Sequence, residues 1–500
     1  MTIWNKLKGM FSKEEKTAEE REKALEPFRR KYHLFQDLLA NNNTVLETMA
    51  DMEEKLSGEY LFDRHYLETK VGIVSDGVRK IIDNLNGVAR RKYAALGLRY
   101  DEITSAIQSI LSTKAGIAES SFTIPFSEIG RAMSDRVGSK VANLGEIRNR
   151  VGLPVPDGFG ISAYSFKRFM DHNEFQEKIT EKLASLSISD MESLRRTSQD
   201  IQGLITSAEV PEDLAGSIRD AYAELCSIAG GTVPVSVRSS ALQEDGEFSF
   251  AGQYSTFLNV SEETIQQKYK EVVASLFNER ALFYYKTKGF QEHEMAMPVG
   301  VLHMIDAKAG GVIYSRDPND FRSDDVIISA IRGLGVCVVD GTVTPEVYRV
   351  SRENGSVIEK SIPAQQSMAV CRADGGLDRI AVDAEALARP CLTDGEIQAL
   401  GSYALALERH FGAPQDIEWA IDRQDRPFIL QSRPLRITAK EPAKAVPTRV
   451  KGYNLLIEKG AIACKGIGFG KAHVVRTDED LADFPDGGVL IAKHTSTKFV

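Results

Sequence analysis

Asp416, Glu418, Gln431 and Arg433 are the residues from which chemistry is first legible in this sequence. They lie on two apolar runs, Asp416–Ile421 and Pro427–Arg433, separated by the polar turn Asp422–Arg426. Alternate side chains of a strand share a face, so Asp416 and Glu418 point one way and Ile417, Trp419 and Ile421 the other. Gln431 and Arg433 likewise share a face, opposite Leu430 and Ser432. Paired as a hairpin, the strands bring two carboxylates, an amide oxygen and a guanidinium to one surface. Such oxygen donors suit Mg²⁺, which takes few protein ligands and completes its shell with water and phosphate oxygens. Arg433 offers the planar fork that matches a phosphoryl group. The plain alternative is a surface hairpin with a cross-strand Glu–Arg pair, worth about 1 kcal/mol or less.

Other segments supply further parts of a phosphate site. Val233–Val237 reads as a strand that delivers Arg238, Ser239 and Ser240, followed by Glu244, Asp245 and the loop Phe250-Ala251-Gly252-Gln253. A cation at a strand end, hydroxyls, and a glycine that admits backbone suit a polyphosphate, although a solvated Ser-rich loop reads the same way. Arg136-Val137-Gly138-Ser139-Lys140 precedes an expected helix Val141–Arg150, placing Lys140 at its N-terminus. The Walker A spacing is absent. Gly310-Gly311, Arg316-Asp317-Pro318 and Gly333-Leu334-Gly335 with Gly341 read as additional tight turns.

These segments belong to a mixed α/β (α+β) body that begins after about residue 115, where short β-branched runs alternate with helices and Gly, Pro and Asp clusters. Ahead of it, Leu25, Phe28, Tyr32, Phe35, Leu39, Leu46, Met49 and Leu56 recur at spacings of three and four, with Asn42 and Glu53 in the remaining places of the stripe. After a break near Ser57–Gly58, a second stripe runs Leu67, Val71, Val74, Val78, Ile81, Leu85 and Val88, and a third helix is expected over Asp101–Ser112. Three helices can bury one another's stripes as a bundle over 1–115. A dimerising coiled coil with Asn42 setting register is the other reading, and a homodimer through this region is its corollary. Ile3, Trp4, Leu7, Met10 and Phe11 form a short amphipathic face, expected to be an ordinary docking or frayed helix rather than a membrane anchor. Ala439–Thr448, rich in Pro, Ala and Lys, is a linker candidate.

Composition narrows the classes. With 62 basic and 71 acidic side chains the net charge is −9, which argues against a non-specific nucleic-acid binder. The five cysteines are scattered singly, so neither a disulfide framework nor a thiolate zinc site is indicated. No apolar run approaches the roughly 18 residues of a membrane span. The expected location is a reducing cytoplasm.

Taken in order, VGSKVANLGEI, LPVPDGFGIS, VSVRSSALQEDGEFSFAGQYSTFLNV, GVIYSRDP, GLGVCVVDGTVTPEVY and QDIEWAIDRQDRPFILQSRP resemble the ATP-binding half of the phosphoenolpyruvate synthase and pyruvate, phosphate dikinase family. The resemblance implies an ATP-grasp fold over about 125–436, with two lobes closing on ATP and Mg²⁺. It implies a linker over 437–455 and, over 456–500, the start of a swivelling phosphohistidine domain, including the strands Lys471–Val475 and Gly487–Lys493. In that family a β-phosphoryl group passes to a histidine, leaving AMP, and the histidine carries it to a second site, where pyruvate is the acceptor. Carried over by motif, Lys140 and Arg238 grip the nucleotide and its phosphates, Gly252 and Thr256 belong to the loop that closes over them, Glu418 and Gln431 are metal ligands, and Arg433 stabilises transferring charge. The family's histidine loop lies beyond Val500, and His494 reads as an ordinary loop histidine. The chain is therefore expected to be the N-terminal part of a longer phosphotransferase.

Two positions depart from the family pattern. The glutamate of the GLGE turn is Val336, and the glutamine of the VVVQ strand is Leu302. The phosphate end is retained while the nucleoside end is altered. This leaves open a catalytically altered regulatory ATP-binding module, and equally a dikinase-type enzyme with another acceptor, such as an antibiotic hydroxyl or a glucan.

Overall fold

The computed structural model describes residues 18–54, 64–112, 117–184, 186, 191–242, 254–288, 296–318, 323–339, 343–387, 389–435, 454, 468–476, 480 and 484–492. Residues 3–11, the break at Ser57–Gly58, Glu244, Asp245, Gly252 and its loop, Gly341, nearly all of the expected linker and His494 lie outside them. The chain divides into two compact units, Met1–Ala115 and Gly116–Val500.

The first unit contains α1 (Ala18–Glu54), α2 (Arg64–Val88) and α3 (Ala95–Ser112). Helices α1 and α2 pack antiparallel. Near one end Asp51 pairs with Lys70 at 2.7 Å and accepts from the Tyr66 hydroxyl at 2.9 Å. Further along, Val45 packs on Gly77, where an added Cβ would stand 2.4 Å from Val45 Cγ2. The face of α1 that packs carries Leu34, Leu38, Asn41, Val45 and Thr48. This differs from the expected stripe, which lies in solvent: Leu25, Phe28, Tyr32, Phe35, Leu39, Leu46 and Met49 keep 45–67% of their surface exposed. The reason is steric, since both sets recur at helical spacing and Gly77 admits Val45 to the close approach. Nor does α3 close a bundle over that stripe, because its own Leu98, Ile103 and Ile110 are exposed.

The second unit is built on two antiparallel sheets. The first has the order β1 (Thr123–Pro125), β2 (Gly158–Ile161), β5 (Val299–His303), β3 (Val235–Ser239), β4 (Thr256–Val260). Its core joins Val235, Val237, Val299 and Val301 to Phe169, Ile201, Tyr222, Tyr269 and Val272 of the surrounding helices. The second has the order β13 (Pro427–Pro434), β12 (Gln415–Asp422), β6 (Ala307–Tyr314), β7 (Asp325–Arg332), β8 (Glu346–Ser351), β9 (Val357–Ser361). Two helices share the core of this second sheet. One is α4 (Ser134–Glu146), through Val137, Val141 and Leu144; the other is α5 (Asp394–Phe411), through Ile397, Leu400, Ala404 and Leu407. The sequence Thr393–Glu396 starts α5 with a capping box, and Gly412 ends it in the left-handed region, φ 74°. A hairpin of β10 (Ser367–Cys371) and β11 (Leu377–Ala381) forms a ladder of its own and is tied to both sheets, its Ala369 carbonyl accepting from the Leu334 N–H at 3.0 Å and its Gly376 N–H donating to the Asn259 carbonyl at 3.0 Å. The expected late strands appear as β14 (Ala472–Val475) and β15 (Val489–Ala492), paired in parallel. No helix among the described residues is long and apolar enough to cross a membrane.

Of the expected glycine turns, Gly333–Gly335 forms one after β7, with Gly333 at φ 76°, whereas Gly310-Gly311 does not. Gly310-Gly311 lies inside β6, where a Cβ on Gly311 would meet the Ser329 carbonyl at 1.9 Å. Arg316 and Asp317 lie in the bend that follows β6 and hold ion pairs there, Arg316 with Glu408 and Asp317 with Arg349 at 2.8 Å.

Candidate functional site

The hairpin forms as the alternating pattern requires. Asp422 builds its turn, with Oδ1 accepting from the backbone N–H groups of Gln424 (2.9 Å) and Arg426 (2.8 Å) while Asp425 takes φ 62°. The register sets Asp416 opposite Arg433 and Glu418 opposite Gln431. It slips between Glu418 and Trp419, so that Ile429 rather than Leu430 faces Trp419. This bulge corrects one expectation: Leu430 turns into the same cavity as Gln431, and its carbonyl accepts from Arg238 Nη1 at 3.1 Å. Ser432 remains on the far face, where its hydroxyl donates to Gln415 Oε1 at 2.8 Å.

The four residues do not share one task. Asp416 Oδ2 accepts from Arg433 Nε at 2.9 Å and Nη2 at 2.7 Å. Burial pushes the Asp416 carboxyl above its ordinary range, Arg433 pulls against that, and the neighbouring Glu418 charge adds to it. Asp416 thus orients the guanidinium, and the cavity is lined by Glu418, Gln431 and Arg433.

Arg238 reaches this surface from the other sheet. It lies within β3 rather than beyond its end, opposite Thr256 on β4 and Gly300 on β5. Nη1 stands 3.8 Å from Glu418 Oε2, while the buried Nε has no hydrogen-bond partner. Burial lowers the Arg238 pKa and Glu418 raises it, though a guanidinium stays charged under such shifts. A buried N–H of a cation without an acceptor is costly.

Lys140 comes from α4, and the local geometry that presents it depends on Gly138. There the helix is interrupted at φ 74°, ψ 160°, and a Cβ would lie 1.7 Å from the Ser240 carbonyl oxygen. Ser240 fills the break: its hydroxyl donates to the Val137 carbonyl at 2.8 Å and accepts from the Val141 N–H at 3.2 Å. The helix effectively restarts after Gly138, with Lys140 in its first turn as the sequence implied. Lys140 Nζ donates to Ser239 Oγ at 3.4 Å.

Lys140, Arg238, Thr256, Glu418, Gln431 and Arg433 together line one cavity of about 350 Å³ between the two sheets. Gly252 lies outside the described residues. The cavity has two chemical ends, because both sheets change character in step. Along β3 and β5, Arg238 opposite Gly300 gives way to Ser236 opposite Leu302. Along β12 and β6, Glu418 opposite Val312 gives way to Ala420 opposite Gly310, against which Gly335 packs. The cationic end is therefore followed by an end lined by Leu302, Met304, Ile305, Leu334 and Val336, with His303 as a polar side chain. Burial lowers the His303 pKa, Asp157 raises it and Arg426 lowers it further.

Sequence reasoning missed His303 and Asn143. Asn143 Nδ2 donates at 3.0 Å to the carbonyl of Ser432, the residue between Gln431 and Arg433. It stands one turn beyond Lys140, so it ties the helix presenting the lysine to the strand presenting the arginine. The spacing Lys140–Asn143 was visible, but the strand it would reach was not.

The sequence pattern described as pyruvate phosphate dikinase, AMP/ATP-binding domain, matches residues 134–452. Among curated proteins, a probable phosphoenolpyruvate synthase of Methanothermobacter thermautotrophicus is 35% identical over 378 residues, 75% of this chain and 54% of the relative. The protein of that description in Methanocaldococcus jannaschii is 33% identical over 378 residues, 75% of this chain and 32% of the relative. The phosphoenolpyruvate synthase of Deinococcus radiodurans is 32% identical over 384 residues, 74% and 49% respectively. The chain thus spans about half or less of the length of these relatives.

Proposed function

Since this chain belongs to the pyruvate phosphate dikinase AMP/ATP-binding domain family, we propose that the cavity binds ATP with Mg²⁺ between two ATP-grasp lobes and serves dikinase-type phosphoryl transfer. The observation that carries the reading is the convergence of Lys140, Arg238 and Arg433 from separate elements on one cavity. Three cations facing one cavity suit a polyphosphate, whose transfer asks a protein mainly for positioning and charge neutralisation. Lys140 and Arg238 would hold the phosphates; Arg433, oriented by Asp416, would neutralise charge on the transferring group; Thr256 would line the approach. Among the described residues no three His, Cys, Asp or Glu side chains cluster as a metal site. Glu418 and Gln431, facing each other across the ladder, still fit Mg²⁺, which completes its shell with phosphate oxygens and water. When bound, that ion would supply neutralisation of phosphate charge. A histidine borne by a further domain would receive the phosphoryl group, and pyruvate would be its final acceptor.

The test is calorimetric titration of the full chain with ATP, with and without Mg²⁺, beside Lys140→Ala. Metal-dependent binding that weakens at least tenfold in the variant is expected. No binding at millimolar ATP would overturn the reading. The apolar lining at Leu302 and Val336 favours a second one, a regulatory module that binds nucleotide without turning it over. Formation of AMP would exclude it.

A further inference from the structure

Helix α1 carries two stripes at the same spacing, and only one of them is covered by α2. The uncovered one runs from residue 25 to 49 in alternating steps of three and four, with Asn42 as its polar member, and the seven apolar or aromatic members are about half exposed. Single exposed leucines need no explanation, but a continuous heptad seam of this length does. At half of the roughly 200 Å² that such a side chain presents, seven leave about 700 Å² per protomer, so two seams together reach roughly the 1,200–2,000 Å² of a stable specific interface.

We propose that this seam packs against the same seam of a second copy of the chain, with the two α1 helices antiparallel. The seam is complementary to itself in that direction. Leu25 meets Met49, Phe28 meets Leu46 and Phe35 meets Leu39, while Tyr32 sets its hydroxyl against the amide of Asn42, so the polar position finds a hydrogen-bonding partner. Charge selects the same direction. The first half of the helix, residues 18–36, carries Arg21, Lys23, Arg29, Arg30 and Lys31 against Glu19, Glu20, Glu22 and Glu26 and is close to balance, whereas the stretch from Asp37 to Glu54 contains Asp37, Glu47, Asp51, Glu53 and Glu54 and no lysine or arginine. Antiparallel packing sets the acidic stretch of each copy against the near-neutral half of the other. A parallel pair would instead align the five carboxylates of residues 37–54 with their own copies.

Sedimentation equilibrium of the full chain at tens of micromolar should give twice the chain mass of 55.2 kDa. Leu39→Glu, at an exposed position, should leave the helical circular dichroism unchanged and raise the dimer dissociation constant at least tenfold. A monomeric wild type would overturn the proposal, whether the seam were then bare or covered by another segment of the chain. So would a Leu39→Glu variant that dimerises as tightly as the wild type. Direction is read by oxidative cross-linking. Mixed Phe28→Cys and Leu46→Cys chains should form a heterodisulfide absent from the wild type, and a disulfide in Phe28→Cys alone would refute the antiparallel arrangement.

Discussion

Replacing Arg238 with methionine should separate ligand affinity from stability. In the folded chain Arg238 is mostly buried, its Nε lacks an acceptor and its charge is only partly answered by Glu418 at 3.8 Å. At that distance the pair is worth about 1 kcal/mol in water and about 4 at an effective dielectric of 20. Glu418 keeps 29% of its side chain exposed, so the lower part of that range applies. The hydrogen bond to the Leu430 carbonyl adds about 1 kcal/mol. Against these stands the cost of burying a guanidinium, and exchanging such a group for an apolar one of similar volume is often neutral. Arg238→Met should therefore change unfolding free energy by no more than about 1 kcal/mol. Its effect on ATP should be larger, because a charge-assisted hydrogen bond to phosphate is worth about 1.5–3 kcal/mol, or roughly 10–150-fold in affinity. Thermal unfolding with and without Mg-ATP measures both together. At a nucleotide concentration about 100 times the wild-type dissociation constant, ligand stabilises the wild type by about 2.7 kcal/mol; a 100-fold weaker variant gains only about 0.4. A variant stabilised by ATP as much as the wild type would refute the assignment of Arg238 to the phosphates.

Three further outcomes test the site and the fold that carries it. Asn143→Ala removes the link from the Lys140 helix to the Ser432 carbonyl and should weaken ATP binding about fivefold, measured by calorimetry; unchanged affinity would mean that helix and strand hold their spacing without it. Gly138→Ala should lower stability by about 2–5 kcal/mol in urea titration, since a Cβ there meets the Ser240 carbonyl in a backbone region disfavoured for alanine; an unchanged midpoint would show that the break is not needed. Burial pushes the Glu408 carboxyl up, but hydrogen bonds from Arg352 and Ser315 and the charges of Arg352 and Arg316 outweigh it and hold the group below 4.5. A depressed pKa contributes stability above the ordinary value that is lost as pH falls through the lowered one. Glu408→Gln should thus cost about 2–3 kcal/mol at pH 7, and the gap to wild type should shrink as pH drops below 4.5; a gap independent of pH in denaturant titrations would contradict this.

The hairpin of β12 and β13 was legible because period-two alternation fixes which side chains share a face before any partner is known. Asp416, Glu418, Gln431 and Arg433 could be grouped from that alone. What alternation could not give is the bulge after Glu418, which follows from how this hairpin packs and which brings Leu430 into the cavity. The split between Asp416, which holds Arg433, and Glu418, which faces Arg238, was equally hidden, since Arg238 arrives from another sheet nearly two hundred residues away in sequence. His303 and Asn143 were missed for the same reason: each becomes a site residue through what a distant segment does.

The helical front marks the limit most clearly. The stripe from Leu25 to Leu56 placed a long helix there from sequence alone, because helical periodicity is a local property, and the structure shows it as Ala18–Glu54. Two adjacent stripes on that helix satisfy the same spacing, and no local rule chooses between them. Tertiary packing chose, since Gly77 on α2 has no Cβ and lets Val45 approach closely, which turns Leu34, Leu38, Asn41 and Thr48 inward and leaves Phe28, Tyr32, Phe35 and Leu39 in water. In the second unit, the residue types suited to phosphate were likewise written in the sequence, but their convergence on one cavity was decided by two sheets meeting, because contact between distant segments is a property of the packed chain.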